Sequence, residues 1–246
     1  VKRIVIANPV RGKDQSAAVL YAAKKCGVKE IYRVGGAQAI AALTYGTKTI
    51  QRVDKIVGPG NIYVAAAKKI VFGEVGIDMI AGPSEITVVA DKSSNVKWVA
   101  ADLIGQAEHD INAQCILISK NKDLINNVQK ELKIQLQSLP RKKIALGSLK
   151  KNGLLIFANS DKKISDIINI IAPEHLELSV DKYKAILKNV KNAGSICTGK
   201  YSAMAVTDYC AGSNHTLPTH SSAKFFSGLS VFDFFKRISY INLSKK

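Results

Sequence analysis

The sequence lacks several features that define common classes of protein. Its 246 residues contain no apolar run of the roughly 18 to 20 residues needed for a helix to span a bilayer. They contain no long low-complexity tract either. The N-terminal run Val1–Ile6 is typical of a strand rather than a signal peptide, and the chain does not begin with Met. These features predict a globular protein without a membrane partner.

Cysteine is scarce. The four cysteines are far apart in the chain, and no two of them form a C-x-x-C pair. This spacing argues against a zinc finger or a dithiol redox motif, and favours buried free thiols over disulfides or metal ligands. A reducing compartment, the cytoplasm, is therefore expected.

Acidic residues are outnumbered by basic ones, 19 to 36, which gives a net charge of +17. Such a charge raises the hypothesis of a nucleic-acid partner. However, the lysines are spread over loops and helix ends, and the chain has neither an Arg-rich helix nor an RNA-binding signature. A solvated basic surface without a nucleic-acid partner accounts for this pattern.

Hydrophobic residues make up 47% of the chain, enough for a large core. Over residues 1–83, a strand, a glycine turn and a helix recur in that order, which predicts parallel strands with helical crossovers. The turns Val34–Ala39 and Val57–Asn61 resemble dinucleotide-binding turns only loosely, and tight packing of helix on strand explains such glycines equally well.

The pattern repeats after residue 83, with strands at Ile86–Ala90 and Gly153–Ala158 and a basic loop following Pro140. We therefore predict an α/β protein of two Rossmann-like parallel-sheet units with helices on both faces. Residues 1–83 form the first unit, 84–228 the second, and 229–246 a tail that begins with a short helix over Val231–Ile238.

Several polar residues in the second unit are candidates for chemistry. Gln106 and His109 lie three residues apart near the end of a predicted helix, where they either coordinate a metal such as zinc or form an ordinary polar helix end. Glu174 and His175 are adjacent at an element boundary, where they serve either as an acid–base pair or as a solvated pair. Asp208 is a candidate cation ligand or a turn residue.

Six ordered segments together resemble the histidinol dehydrogenase family. They are Val34–Ala42, Val57–Asn61, Ile77–Glu85, Gln106–Asp110, Ala172–Leu176 and Ala211–Thr219. The resemblance implies a zinc- and NAD-dependent enzyme that oxidises L-histidinol twice, through the aldehyde, to L-histidine in the last step of histidine biosynthesis. It also implies a homodimer with shared active sites.

The resemblance also implies roles for individual residues. Gln106, His109 and Asp208 would bind zinc, and together with Ser84 and His175 they would contact substrate. His175 would take the hydroxyl proton, and Glu174 would activate water for the second oxidation.

The NAD contacts would be Gln38 and Asn61. His215 and His220 could be metal ligands too, but turn or surface positions are favoured for both, and His220 does not match a zinc-binding position of the family.

Members of the family extend beyond this chain at both ends, so the chain is expected to be part of a longer protein. Their C-terminal tail supplies a substrate-binding glutamate and a further zinc-binding histidine across the dimer. The alternative is a truncated relative that keeps the fold and acts only as a binding protein. Retention of the five candidates Gln106, His109, Glu174, His175 and Asp208 favours the enzyme.

Overall fold

The computed structural model describes residues 1–9 and 17–244. The chain divides into two compact units, Val1–Asp78 together with Leu229–Lys246, and Met79–Gly228. Every strand pairing in the described residues is parallel, and helices separate successive strands except between Gly76–Ile77 and Glu85–Ala90. The predicted α/β class is confirmed. No helix within the described ranges is long and apolar enough to cross a membrane.

The first unit holds two small parallel sheets, β1 with β2 and β3 with β4. Its core is formed by apolar side chains from α2, α3 and the strands, chiefly Ile40, Leu43, Ile56, Val71 and Val75. The elements are β1 Val5–Ala7, α1 Ala17–Lys25, β2 Glu30–Tyr32, α2 Gly36–Tyr45, β3 Lys55–Ile56, α3 Ile62–Val71 and β4 Gly76–Ile77.

A buried ion pair supports the glycine turn after β3. The side chains of Lys68 and Asp78 are 2% and 1% exposed and form a salt bridge. Asp78 Oδ2 accepts the N–H of Gly58 at 2.7 Å, and Lys68 Nζ donates to the carbonyl of Gly58 at 3.1 Å. Gly58 has φ +117°, a conformation that favours glycine. Asn61 then caps α3 by accepting the N–H groups of Tyr63 and Val64.

The C-terminal segment differs from the prediction. The helix expected over Val231–Ile238 is a 3-10 turn over Val231–Phe234, and residues 235–244 have no regular secondary structure. Ser230 and Asp233 form a capping box at the start of this turn. Lys55 Nζ donates to the carbonyl of Asp233 at 2.5 Å, which fastens the turn to the first unit.

The second unit is built on a five-stranded parallel sheet in the order β7-β6-β5-β8-β9. Central strand β5 is buried along its whole length. The elements are β5 Glu85–Ala90, α4 Val96–Ala107, β6 Gln114–Ser119, α5 Lys122–Ser138, α6 Lys142–Asn152, β7 Gly153–Phe157, α7 Asp161–Ile171, β8 His175–Ser179, α8 Tyr183–Leu187, β9 Ser195–Thr198 and α9 Met204–Tyr209.

Helices cover both faces of this sheet. On one face, Val88 packs in a cluster with α4, α5 and α6. On the other face, its neighbour Val89 packs with α7 and α8. Successive side chains of a strand point to opposite faces, so β5 contributes to both cores. Two cores on opposite faces of a parallel sheet are the arrangement predicted for this unit.

Two expectations were wrong in detail. The basic stretch after Pro140 contains helix α6, because Ala145, Leu146 and Leu149 form an apolar stripe between the lysines and pack on the core. The four cysteines are free thiols as predicted, but only Cys115 and Cys197 are buried, whereas the other two, Cys26 and Cys210, are exposed.

Candidate active site

The amino ends of β5 and β8 carry a group of buried acidic and imidazole side chains. Helix α7 ends at Ile171, and Ala172 adopts φ +49°, which turns the chain through Pro173 into β8. The backbone carbonyl of Glu174 accepts the N–H of Ser195 at 2.8 Å. Gly194 packs so closely that a Cβ there would lie 2.7 Å from that carbonyl. Both neighbours therefore hold the backbone of Glu174 in place.

Five residues make up this acid–imidazole cluster. His175 Nε2 lies 3.8 Å from both Glu174 Oε1 and Asp208 Oδ2. His215 Nδ1 lies 3.2 Å from Asp208 Oδ2. The backbone N–H of Glu85 donates to Glu174 Oε2 at 2.8 Å. Separations of 3.8 Å are too long for direct hydrogen bonds, so neither carboxylate is hydrogen bonded to Nε2 of the imidazole.

Burial controls the charge of these groups. Burial raises the pKa of Glu174 to about 8. The hydrogen bond from the Glu85 N–H lowers this pKa, whereas the nearby carboxylates of Glu85 and Asp208 raise it further. Burial also lowers the pKa of His175, although Asp208 opposes that shift. The imidazole is therefore neutral near pH 7, the form that accepts a proton.

The buried carboxyl groups of the cluster have no strongly basic partner within the described residues. Among the described residues, no lysine or arginine forms a salt bridge with Glu85, Glu174 or Asp208, despite the strongly basic composition. Glu85 Oε2 and His175 Nδ1 are also buried without a hydrogen-bond partner in the part of the chain that the structure describes. Such a site suits a cation or a polar ligand.

The structure locates the other predicted site residues individually. Gln106 lies on the buried face of α4 and is 4% exposed, whereas His109 lies two residues beyond the end of that helix and is exposed. Ser84 is half-buried directly before β5. In the first unit, Gln38 and Asn61 are exposed at the starts of α2 and α3, next to the two glycine turns.

No group of three His, Cys, Asp or Glu side chains within residues 1–9 and 17–244 has the spacing of a metal site. The predicted zinc set contains only two residues of these types, His109 and Asp208, because its third member is the amide of Gln106. Imidazole, carboxylate and amide groups nevertheless supply the nitrogen and oxygen donors that zinc accepts. The donor chemistry of the predicted set therefore fits a divalent cation.

Some members of the site were not identified from the sequence. Glu85 contributes through its backbone N–H, for which a sequence has no signal. His215, for which a turn or surface position was favoured, is indeed exposed but lies beside Asp208. Glu177 lies outside the cluster, two residues after His175 on the same strand. A charged residue between Leu176 and Leu178 in a buried strand is a sequence pattern that indicates a functional or structural role.

The fold and this cluster define a two-unit α/β protein with a buried cluster of carboxyl and imidazole groups. The sequence profile of the histidinol dehydrogenase family matches residues 1–246. The chain belongs to the histidinol dehydrogenase family.

Two curated relatives and one crystal structure illustrate the match. The histidinol dehydrogenase of Pelagibacter ubique is 64% identical over 247 residues, covering all of this chain and 58% of that protein. The Streptococcus mutans enzyme is 51% identical over 245 residues, again covering all of this chain and 57% of that protein. The crystal structure of the Elizabethkingia anophelis enzyme superposes with a TM-score of 0.91 at 42% identity, over 96% of this chain and 55% of that one. The chain thus spans less than two thirds of the length of these relatives.

Proposed function

We propose that this chain provides the core of an enzyme that oxidises L-histidinol to L-histidine through L-histidinal, the last step of histidine biosynthesis. The reaction comprises two hydride transfers to NAD and depends on zinc. The observation that carries the proposal is the buried Glu174–His175–Asp208 group in a chain that matches the family along its whole length. The parent protein is proposed to be a cytoplasmic homodimer with shared active sites.

His175 is proposed as the base that removes the proton from the substrate hydroxyl group. Its lowered pKa keeps the imidazole neutral, and its Nε2 is not occupied by a direct hydrogen bond to either neighbouring carboxylate. Asp208, 3.8 Å away, stabilises the imidazolium that forms when the proton is transferred.

Glu174 is proposed to act in the second oxidation, in which water must add to the aldehyde. With a pKa of about 8, its carboxyl group exchanges a proton near neutral pH, as a general acid–base catalyst requires. The Glu85 N–H holds one carboxyl oxygen and leaves the other directed towards His175. The two adjacent residues thus supply the two proton-transfer roles that two oxidation steps need.

Zinc would be held by Gln106, His109 and Asp208, and substrate would be contacted by these three residues with Ser84 and His175. A bound zinc ion acts as a Lewis acid and orients the substrate. Its positive charge also offsets the buried carboxylates of the cluster.

Gln38 and Asn61 are proposed to contact NAD. Asn61 uses its Oδ1 atom to cap α3, which leaves its Nδ2 group available to donate to a ligand. Gln38 Oε1 lies over Gly36, where a Cβ would be 2.8 Å away, so the glycine makes room for that amide.

The test is formation of NADH from L-histidinol in the presence of zinc, followed by absorbance. It is made on this chain and on a version extended at both ends with the flanking segments of the Pelagibacter ubique relative. Glu174→Gln should lower kcat of the active form by about 10²- to 10⁴-fold, the usual range for general acid–base catalysis. Glu74→Gln, an exposed residue of the first unit, is the matched control. Absence of turnover in the extended protein would refute the proposal.

A further inference from the structure

We propose that Glu177 is a positioning residue that ties α4, β8 and α9 together and so sets the spacing of the active-site residues these elements carry. Gln106 lies on α4, His175 on β8 and Asp208 on α9. Glu177 follows His175 by two residues, so both side chains leave the same face of the strand. The inference rests on the function proposed above, because it concerns how that site is held.

The first tie joins Glu177 to α9. Glu177 Oε1 accepts the backbone N–H of Met204, the first residue of that helix, at 2.5 Å. The N-cap residue Ala203 supplies no side-chain acceptor, and α9 has six residues, none of them buried. The first N–H groups of a helix have no partner within the helix, so the Glu177 side chain, which lies on a neighbouring strand, caps the N-terminus of α9. Asp208 lies one turn further along the same helix.

The second tie joins Glu177 to α4. The carboxyl groups of Asp102 and Glu177 lie close enough to interact, and Asp102 adds to the effect of burial in raising the pKa of Glu177. Asp102 precedes Gln106 by one helical turn, so the two side chains lie on the same side of α4. Two carboxyl groups so close together interact favourably only when one of them carries a proton. Glu177 is 2% exposed, which keeps competing water away from this contact.

The cost of this arrangement favours a positioning role over simple packing. In the described part of the chain, neither Asp102 nor Glu177 forms a salt bridge with a lysine or arginine. Buried carboxyl groups without a cation destabilise a fold unless hydrogen bonds compensate, and an apolar side chain would fill the same volume without that cost. A leucine at 177, however, could not hold the N–H of Met204 or the carboxyl group of Asp102.

Two substitutions separate the polar contacts from the charge. Glu177→Gln keeps an acceptor for the Met204 N–H and a donor for Asp102, so it reproduces the protonated carboxyl group. Glu177→Leu removes both contacts at similar volume. In the extended protein, amide hydrogen exchange over 205–209 should accelerate at least about tenfold in Glu177→Leu and stay within about threefold of the parent in Glu177→Gln. Exchange in α7 serves as the control and should be unchanged.

Met204→Pro removes the hydrogen bond to Glu177 from the other partner. Proline is tolerated at the first helical position, and Ala203 already has the extended conformation that a following proline requires. Met204→Ala, which keeps the N–H, is the matched control for the lost side chain. This pair of variants decides the question if Glu177→Leu does not fold.

Zinc affinity and turnover of the extended protein complete the experiment. Both should fall at least about tenfold in Glu177→Leu and in Met204→Pro, with recovery in Glu177→Gln. An unchanged exchange rate over 205–209 in folded Glu177→Leu and Met204→Pro would overturn the proposal. Faster exchange in these variants with unchanged zinc affinity would overturn it as well. A parent protein that does not oxidise histidinol would instead refute the proposed function, because exchange is measured without substrate.

Discussion

Replacement of Lys68 by methionine should destabilise the first unit strongly. The side chains of Lys68 and Asp78 are almost fully buried, and Asp78 keeps only the N–H of Gly58 when the ammonium group is removed. Removing one partner of a buried ion pair costs about 3–5 kcal/mol, because the remaining charge is uncompensated. That loss is a large share of the roughly 5–15 kcal/mol by which a native protein is stable.

Urea denaturation followed by far-UV circular dichroism measures the effect. The free energy of unfolding decreases by about 1–3 kcal/mol for each molar increase in urea, so the urea concentration at the unfolding midpoint should fall by at least about 1 M. Hydrogen exchange in α3 assigns the loss to the first unit. The double variant Lys68→Met/Asp78→Leu should recover most of the stability, since apolar residues can replace a buried pair at little cost. A midpoint shift below about 0.3 M in the single variant would refute this reasoning, as would a double variant no more stable than the single one.

Three further predictions concern other residues. His109→Asn should lower the zinc content of the extended protein measured by elemental analysis; full occupancy would show that His109 is not a ligand. Cys26 and Cys210 should react with iodoacetamide in the native protein, whereas Cys115, whose pKa burial raises to about 12, should react only after unfolding. Mass spectrometry of the labelled peptides would contradict this if Cys115 were modified first. Burial raises the pKa of Glu177 to about 8, so the folded state holds a proton that the unfolded chain releases above about pH 4.3. The unfolding free energy, measured with a chelator present, should therefore fall between about pH 5 and 8, and Glu177→Gln should flatten that fall; equal slopes in both proteins would contradict it.

The strands and long helices could be predicted because their signals are local. Strand β5 is rich in β-branched and apolar residues, typical of a buried parallel strand, and α7 combines the Ser160 cap with inward isoleucines at helical spacing. Helix α6 was missed because its lysines and Gly147 conceal a short apolar stripe. Helix α9 is six residues long and none of them is fully buried, so its sequence lacks the periodicity that predicts a helix.

The acid–imidazole cluster could be predicted only in part. Glu174 and His175 are adjacent in the sequence, and the resemblance to the family brings Asp208 to them. The contact from the Glu85 N–H depends on the register of β5 against β8, and the closeness of the Asp102 and Glu177 carboxyl groups depends on how α4 packs on the sheet. Neither the register nor the packing is readable from one sequence, so these supporting groups emerge only from the structure.

The number of NADH molecules formed for each L-histidinol consumed tests the central claim most directly. It is measured in the extended protein with zinc and excess NAD. A site in which His175 and Glu174 serve successive oxidations predicts two NADH and one L-histidine for each histidinol. No NADH would contradict the assignment of the reaction, and one NADH with accumulated aldehyde would contradict the second role of the pair.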